Sequence, residues 1–313
     1  MPSPLLEPVP EGAPTLLGAP RGELEALVAP FAVLAAPFGV PYTIRNVHHG
    51  ASEAPAAVRA ISARFGRMLE HYDFDLGGTP FDGKPWPIVD LGDVRADPRD
   101  LPGNAARVTE AVSAVVARGA VPVVLGGDDS VSALAIRGLE QAGPLTVVQI
   151  DAHIDFRDEV GGEREGYSSP MRRASEMAWV ERIVHIGARG LGSARPGDVE
   201  DTLAAGNLII TAREVREKGI KPIVRSLPRR GRYYVVLDCD GLDPSVAPGT
   251  SVPSPGGLSF EQAADLLVGL AQRGRIVGMN VAEHYPALDW NGITSLVIAR
   301  LIAIWIGTAV RQK

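Results

Sequence analysis

Only one cysteine, Cys239, occurs in 313 residues, so neither an intrachain disulfide framework nor a thiolate zinc cluster can form, and a reducing cytoplasm is the expected compartment. No run of five like charges appears, and 31 basic against 37 acidic residues leave a net charge of −6. That balance lacks the electrostatic footprint of a nucleic-acid or anionic-membrane partner, and neither is expected. Aromatic residues are scarce at 5%, yet 45% of the chain is hydrophobic, enough core for one large or two small soluble domains. The start, "MPSPLLEPVPEGAPTLLGAPRGE", lacks a basic segment followed by an unbroken apolar one and does not read as a secretory signal. The C-terminal "ITSLVIARLIAIWIGTAV" is long and apolar, but it carries Arg300 near its middle and stands alone, so it reads as a buried final helix.

Short Val- and Ile-rich runs recur instead: "FAVLAAPFG", "PIVDLGD", "VPVVLGG", "LTVVQIDAH", "RIVHIGAR", "NLIIT", "YYVVLDCD" and "RIVGMNVAE". Between them lie patterns with apolar residues three and four apart, such as "APAAVRAISARFGRML", "NAARVTEAVSAVVARG", "SVSALAIRGLEQ" and "SFEQAADLLVGLAQRG". Alternating strand and helix predicts an α/β fold with a mostly parallel sheet covered on both faces. A (β/α)₈ barrel satisfies the same alternation. No linker divides the chain after its proline-rich start, so residues 1–30 are expected to form a mobile arm and residues 31–313 a single domain.

In either architecture, the loops leaving the carboxyl ends of parallel strands build the functional side. The chemically unusual residues fall there. Asp128 and Asp129 follow "VPVVLGG", Asp151, His153 and Asp155 close "LTVVQI", Asp238 and Asp240 end "YYVVL", and Glu283 ends "RIVGMNVA". In extended backbone, positions i, i+2 and i+4 share a face, so "DAHID" and "DCD" would act as ligand combs. Carboxylates gathered in this way repel one another unless cations neutralise them. Oxygen-rich donors with one imidazole suit Mn²⁺, with Mg²⁺, Fe²⁺, Co²⁺ or Ni²⁺ as lesser alternatives. Two ions about 3.5–4 Å apart would share carboxylates and favour hydrolysis. Any one of these motifs alone has a bland explanation, an Asp turn or the N-cap of a helix as in "GGDDS"; four together at strand ends do not. Cys239 points away from its flanking aspartates and reads as core packing.

These motifs, "LGGDDS", "IDAHIDFR", "LDCDGLDPSVAPGT", "SPGGLS" and "VAEHYPALD", resemble the ureohydrolase family of arginases, agmatinases and related guanidino-acid hydrolases, over most of the chain. The resemblance implies a three-layer α/β/α fold with an eight-stranded mostly parallel sheet, a binuclear manganese site, a trimer or hexamer, and hydrolysis of a guanidino group to urea and an amine. By position, it implies that Asp151 and Asp238 bridge two metals, that Asp155 and Asp129 complete one site, and that His153 and Asp240 complete the other. Glu283 falls where the family binds guanidinium, and Asp155 would relay a proton. His49 and Asp158 are further expected substrate contacts, with Arg157 and Glu159 beside them.

Two positions depart from the family's pattern. Asp129 stands where a histidine is usual, which changes the donors from two imidazoles and four carboxylates to one imidazole and five carboxylates. "YSSPM" replaces "HGTPF", so Tyr167 occupies the place of a histidine that helps protonate the leaving amine, although a phenol with a pKa near ~10 is a poorer acid. His48, His49 or His284 would have to compensate; His71 and His185 carry no motif. The expected substrate is a small cationic guanidino compound: agmatine, guanidinobutyrate, or a smaller or substituted guanidine or biguanide. Two rival readings are a metal-poor, non-catalytic subunit of a mixed oligomer with a homologue, and a mononuclear amidohydrolase holding one ion on Asp151, His153 and Asp238. Elemental analysis after manganese reconstitution separates the three, and two ions per chain is the expected result; one would favour the mononuclear enzyme and none the supporting subunit.

Overall fold

Each of the eight apolar runs becomes a strand, because β-branched side chains fit a pleated surface buried on both sides. In the computed structural model, which describes residues 3–40, 50–192 and 194–312, a two-residue strand precedes them. In chain order the strands are β1 (Leu6–Glu7), β2 (Phe31–Ala36), β3 (Ile88–Val94), β4 (Val121–Gly126), β5 (Leu145–Ile150), β6 (Val180–Ala188), β7 (Leu208–Thr211), β8 (Arg232–Asp238) and β9 (Arg275–Ala282). They form one open sheet in the order β1-β3-β2-β4-β9-β8-β5-β6-β7. All pairings among β2 to β9 are parallel. Two free edges exclude the barrel, and the expected eight strands gain a ninth.

That ninth strand corrects the reading of the N-terminus as a mobile arm. Leu6 and Glu7 pair antiparallel with Val94 and Asp93, and Leu16, Leu17, Leu24 and Leu27 are buried in the two cores of the sheet. The prolines do prevent a long helix here. The leucines between them nevertheless supply enough apolar surface to hold an irregular segment against the sheet, where it covers the β3 edge.

Helices coat both faces. On one side lie α1 (Ala54–Ser62), and later α6 (Ala212–Lys218), α7 (Ile220–Ser226), α8 (Phe260–Arg273) and α9 (Ile293–Arg311); on the other lie α2 (Leu101–Ala117), α3 (Ser130–Arg137) and α4 (Pro170–Ser175). The short α5 (Pro196–Ala204) sits beside β7. Strand residues alternate between these layers as the pleat requires: Phe31, Val33 and Ala35 join the first core, Ala32, Leu34 and Ala36 the second. Caps fix the helix starts, as where Ser259 and Gln262 exchange side-chain and backbone hydrogen bonds at the head of α8.

The apolar C-terminal stretch is α9, and 67% of its most apolar window is buried inside the fold. Trp305 is fully buried and meets Phe31 edge-on, with ring centroids 5.6 Å apart. Arg300, its one interior charge, turns to a loop and pairs with Asp73 at 2.7 Å and Asp75 at 2.6 Å. Burial alone would raise the pKa of Asp73, but the hydrogen bonds and charge of Arg300 hold it below the usual carboxylate value. A depressed folded-state pKa contributes stability above the unfolded value near ~3.9, and this is lost as pH falls through the folded value. Asp73→Asn should therefore lower stability by about 1.5–3 kcal/mol at neutral pH. Urea melts of the two proteins should converge as the solution is taken below about pH 4; a constant gap down to strong acid would show that the carboxylate charge is not what matters.

Candidate metal centre

The four motif-bearing strands are scattered in sequence but consecutive in the sheet: β4, β9, β8, β5. Their carboxyl ends are level, since Leu125 and Leu237 both register with Val281, and Leu237 with Ile150. The residues after these ends therefore meet in one place. Asp151, His153 and Asp155 offer ligand atoms all within 4.8 Å of one another, and Asp129, Asp151 and Asp238 do the same. Asp151 belongs to both groups.

The combs are not extended strand, as the alternate spacing had suggested. β5 stops at Ile150, and Asp155 has a positive φ of 41°; Asp238 ends β8, and Cys239–Gly241 form a turn of 3₁₀ helix. Backbone amides aim the carboxylates instead. The Asp151 side chain accepts from the His153 amide at 2.6 Å, Asp238 from the Asp240 amide at 2.8 Å, and Asp240 from the Ala152 amide at 3.1 Å. The last bond ties the two loops together. Their approach requires Gly241, because a Cβ there would lie 2.5 Å from the Asp151 nitrogen.

Burial and mutual repulsion push Asp129, Asp155 and Asp238 well above the ordinary carboxylate pKa, and raise Asp240 too. Asp151 goes the other way: burial opposes it, but hydrogen bonds and charge from His153 hold it low. Burial would likewise lower the His153 pKa, yet its contacts with Asp151 at 3.3 Å and Asp240 at 3.1 Å push it up to about 12. Without cations, protons and an imidazolium hold the cluster together. A divalent ion would replace them.

The donor set fits such ions. Asp129 anchors one oxygen on the Ser132 hydroxyl, itself held by Asn280 at 2.7 Å, while its Oδ2 is buried with no hydrogen-bond partner among the described residues. Asp129 groups with Asp151 and Asp238, and a buried carboxylate oxygen without a donor is the kind of atom a cation satisfies. Five carboxylates with a single imidazole suit a hard ion of the manganese type.

The match to the Arginase family model covers residues 31–307. The chain belongs to the arginase family. It is 34% identical over 271 residues to the mitochondrial agmatinase of Gallus gallus, covering 84% of this chain and 77% of that one. It is 30% identical over 287 residues to the guanidinobutyrase of Pseudomonas aeruginosa, covering 90% and 86%. Among solved structures, the proclavaminate amidino hydrolase of Streptomyces clavuligerus superposes with a TM-score of 0.80 at 27% identity, covering 95% of this chain and 97% of that one.

In this arginase-family chain the six expected ligands stand together, and a cavity of about 490 Å³ reaches Asp129, His153, Asp155, Asp238, Asp240, Glu283 and Tyr167. Glu283, at a left-handed φ of 59°, accepts from the Asp129 amide at 2.9 Å and the Tyr285 hydroxyl at 3.0 Å. Burial first, and then the neighbouring Asp128 charge, raise its pKa to about 8. Other expectations fail or fall outside the described residues. Asp158 does not line the cavity: it is exposed and pairs with Arg164 and with the buried Arg173, which also meets Glu176 at 2.9 Å. His284 bonds Gly249 and Ser295 and is structural; His48 and His49 lie outside the described residues. Two features escaped the sequence reading: Arg195 and Asp198 at the cavity mouth, and the polar pair Gln149 and His185 beneath the cluster. Gln149 carried a signal, a polar residue two positions before Asp151 in an apolar strand.

If the acids exist to take up cations, Asp238→Asn should leave the metal-free melting temperature unchanged or higher. It should also abolish the gain on adding manganese, about 2.7 kcal/mol per site at a hundredfold excess over Kd in the parent protein. A melting series with and without Mn²⁺ reads both effects; an undiminished gain in the variant would remove Asp238 from the ligand set.

Proposed function

We propose that this chain is a manganese-dependent hydrolase that splits a guanidino compound into urea and an amine, with Asp129, Asp151, His153, Asp155, Asp238 and Asp240 holding two ions. The supporting observation is that one cavity joins both ligand groups to the carboxylate of Glu283. The ions, when bound, supply a water made nucleophilic at neutral pH. Glu283 receives the planar guanidinium, whose parallel N–H groups match a carboxylate, and the Tyr285 hydroxyl and Asp129 amide keep it from rotating. Asp155, with Oδ2 fixed by Gln149 at 3.0 Å, takes up a proton and returns it to the leaving nitrogen. Tyr167 on the same wall is a hydrogen-bond donor to that nitrogen.

The cavity is also polarised along its depth. Its floor is acidic, while Arg157 and Arg195 line it further out, with Asp198 3.7 Å from Arg157. A guanidinium fits the floor, and the arginines disfavour a second cation at the far end. Of the candidate substrates, this favours guanidinobutyrate and other guanidino acids over agmatine.

Urea release from a panel of guanidines tests the reading. The manganese-loaded protein should turn over 4-guanidinobutyrate with higher kcat/KM than agmatine. Arg195→Glu should narrow the ratio by about fivefold, the scale of one exposed ionic contact. Release of urea from no guanidine would overturn the assignment.

A further inference from the structure

Beneath the acid cluster lies a pair of polar side chains, of which the proposed chemistry uses only the contact of Gln149 with Asp155. Gln149 on β5 and His185 on β6 are direct register partners in adjacent parallel strands, and both are fully buried. Gln149 precedes Asp151 by two residues, and its Nε2 donates to Asp151 Oδ2 at 2.6 Å and to Asp155 Oδ2 at 3.0 Å. The other end of the amide, Oε1, lies 2.5 Å from His185 Nδ1.

These contacts determine one another. Carboxylate oxygens accept, so the amide NH₂ must face Asp151 and Asp155 and spend both of its hydrogens there. The carbonyl then faces His185, so the hydrogen of a neutral imidazole must sit on Nδ1. Burial keeps the ring neutral, with its pKa lowered to about 4, and Nε2 is buried with no hydrogen-bond partner among the described residues. Phe156 and the imidazole pack edge to face, with centroids 6.3 Å apart at 85°. With the hydrogen on Nε2 instead, the amide would gain by turning over, and its carbonyl would confront two carboxylates.

We propose that Gln149 and His185 are a positioning pair: His185 dictates which end of the Gln149 amide faces the cluster, and Gln149 thereby sets the orientation of Asp151 and Asp155 for divalent-cation uptake. The inference rests on reading the cluster as a metal centre. Neither residue touches a substrate. Both act through two carboxylates, one of which belongs to both ligand groups, so the effect reaches the whole centre.

The test is manganese titration of the purified, metal-stripped chain by calorimetry, with bound metal counted by elemental mass spectrometry and the metal-free melting temperature recorded beside it. Gln149→Leu should raise the manganese dissociation constant by about 10- to 100-fold, the usual effect of losing a hydrogen-bond partner of metal ligands. His185→Leu should act in the same direction. His185→Asn, whose side-chain NH₂ falls near the position of Nδ1, should restore most of the affinity. Ile183→Val, a core truncation on the same strand, should lower the melting temperature and leave manganese binding alone. If the parent chain takes up no manganese, the metal reading itself fails and the pair loses its purpose. If the parent binds two ions and Gln149→Leu binds them equally well, the metal reading stands and the positioning role is overturned. Failure of His185→Asn to recover affinity, with Gln149→Leu impaired, would remove His185 from the device.

Discussion

Like charges forced into one buried place are the constraint from which the rest of this structure follows. Asp129, Asp151, Asp155, Asp238 and Asp240 are drawn together at the inner end of a cavity, largely removed from bulk water, and Glu283 stands beside them. In a low-dielectric interior such an assembly is tolerated only with counter-charge and directed hydrogen bonds. The protein supplies backbone amides to three of the carboxylates, a hydroxyl to Asp129, an imidazole between Asp151 and Asp240, and an amide side chain under Asp151 and Asp155. Each of these aims a carboxylate, and together they leave oxygen lone pairs for cations.

The sheet makes that concentration possible. Eight parallel strands form a platform between two helical layers, and its central strands end level, so the first residues of the loops that follow them come into contact. The cost appears in local backbone. Asp155 and Glu283 both sit at positive φ, a conformation that side-chain-bearing residues seldom hold, and both face the cavity. Here the surrounding packing imposes geometry that the residues would not choose.

Charge along the cavity then changes sign. The acidic floor gives way to Arg157, which faces Asp198 at 3.7 Å, and to the exposed Arg195, on the loop after β5 and at the start of α5. Asp129 belongs to the acidic floor, where one of its oxygens is buried with no hydrogen-bond partner among the described residues.

Much of this was legible in the chain itself. Eight Val- and Ile-rich runs marked eight strands, because β-branched periodicity is a local property, and the acids at their ends marked the functional rim. Other features were not local. That "LGGDDS" and "VAEHY", more than 150 residues apart in hydrogen-bonded contact, flank one another depends on β9 inserting between β4 and β8, which no short-range pattern encodes. The same holds for His185, silent in sequence and meaningful only as the register partner of Gln149. Asp158 shows the reverse, a motif neighbour that lies outside the cavity and pairs with Arg173 and Arg164. The sequence by itself determined the layered α/β class and the chemistry of the ligands, since both reside in residue type and spacing; only the tertiary structure decided which strands became neighbours, which carboxylate oxygens stayed unpaired and which charges face the cavity, because those follow from long-range packing and register.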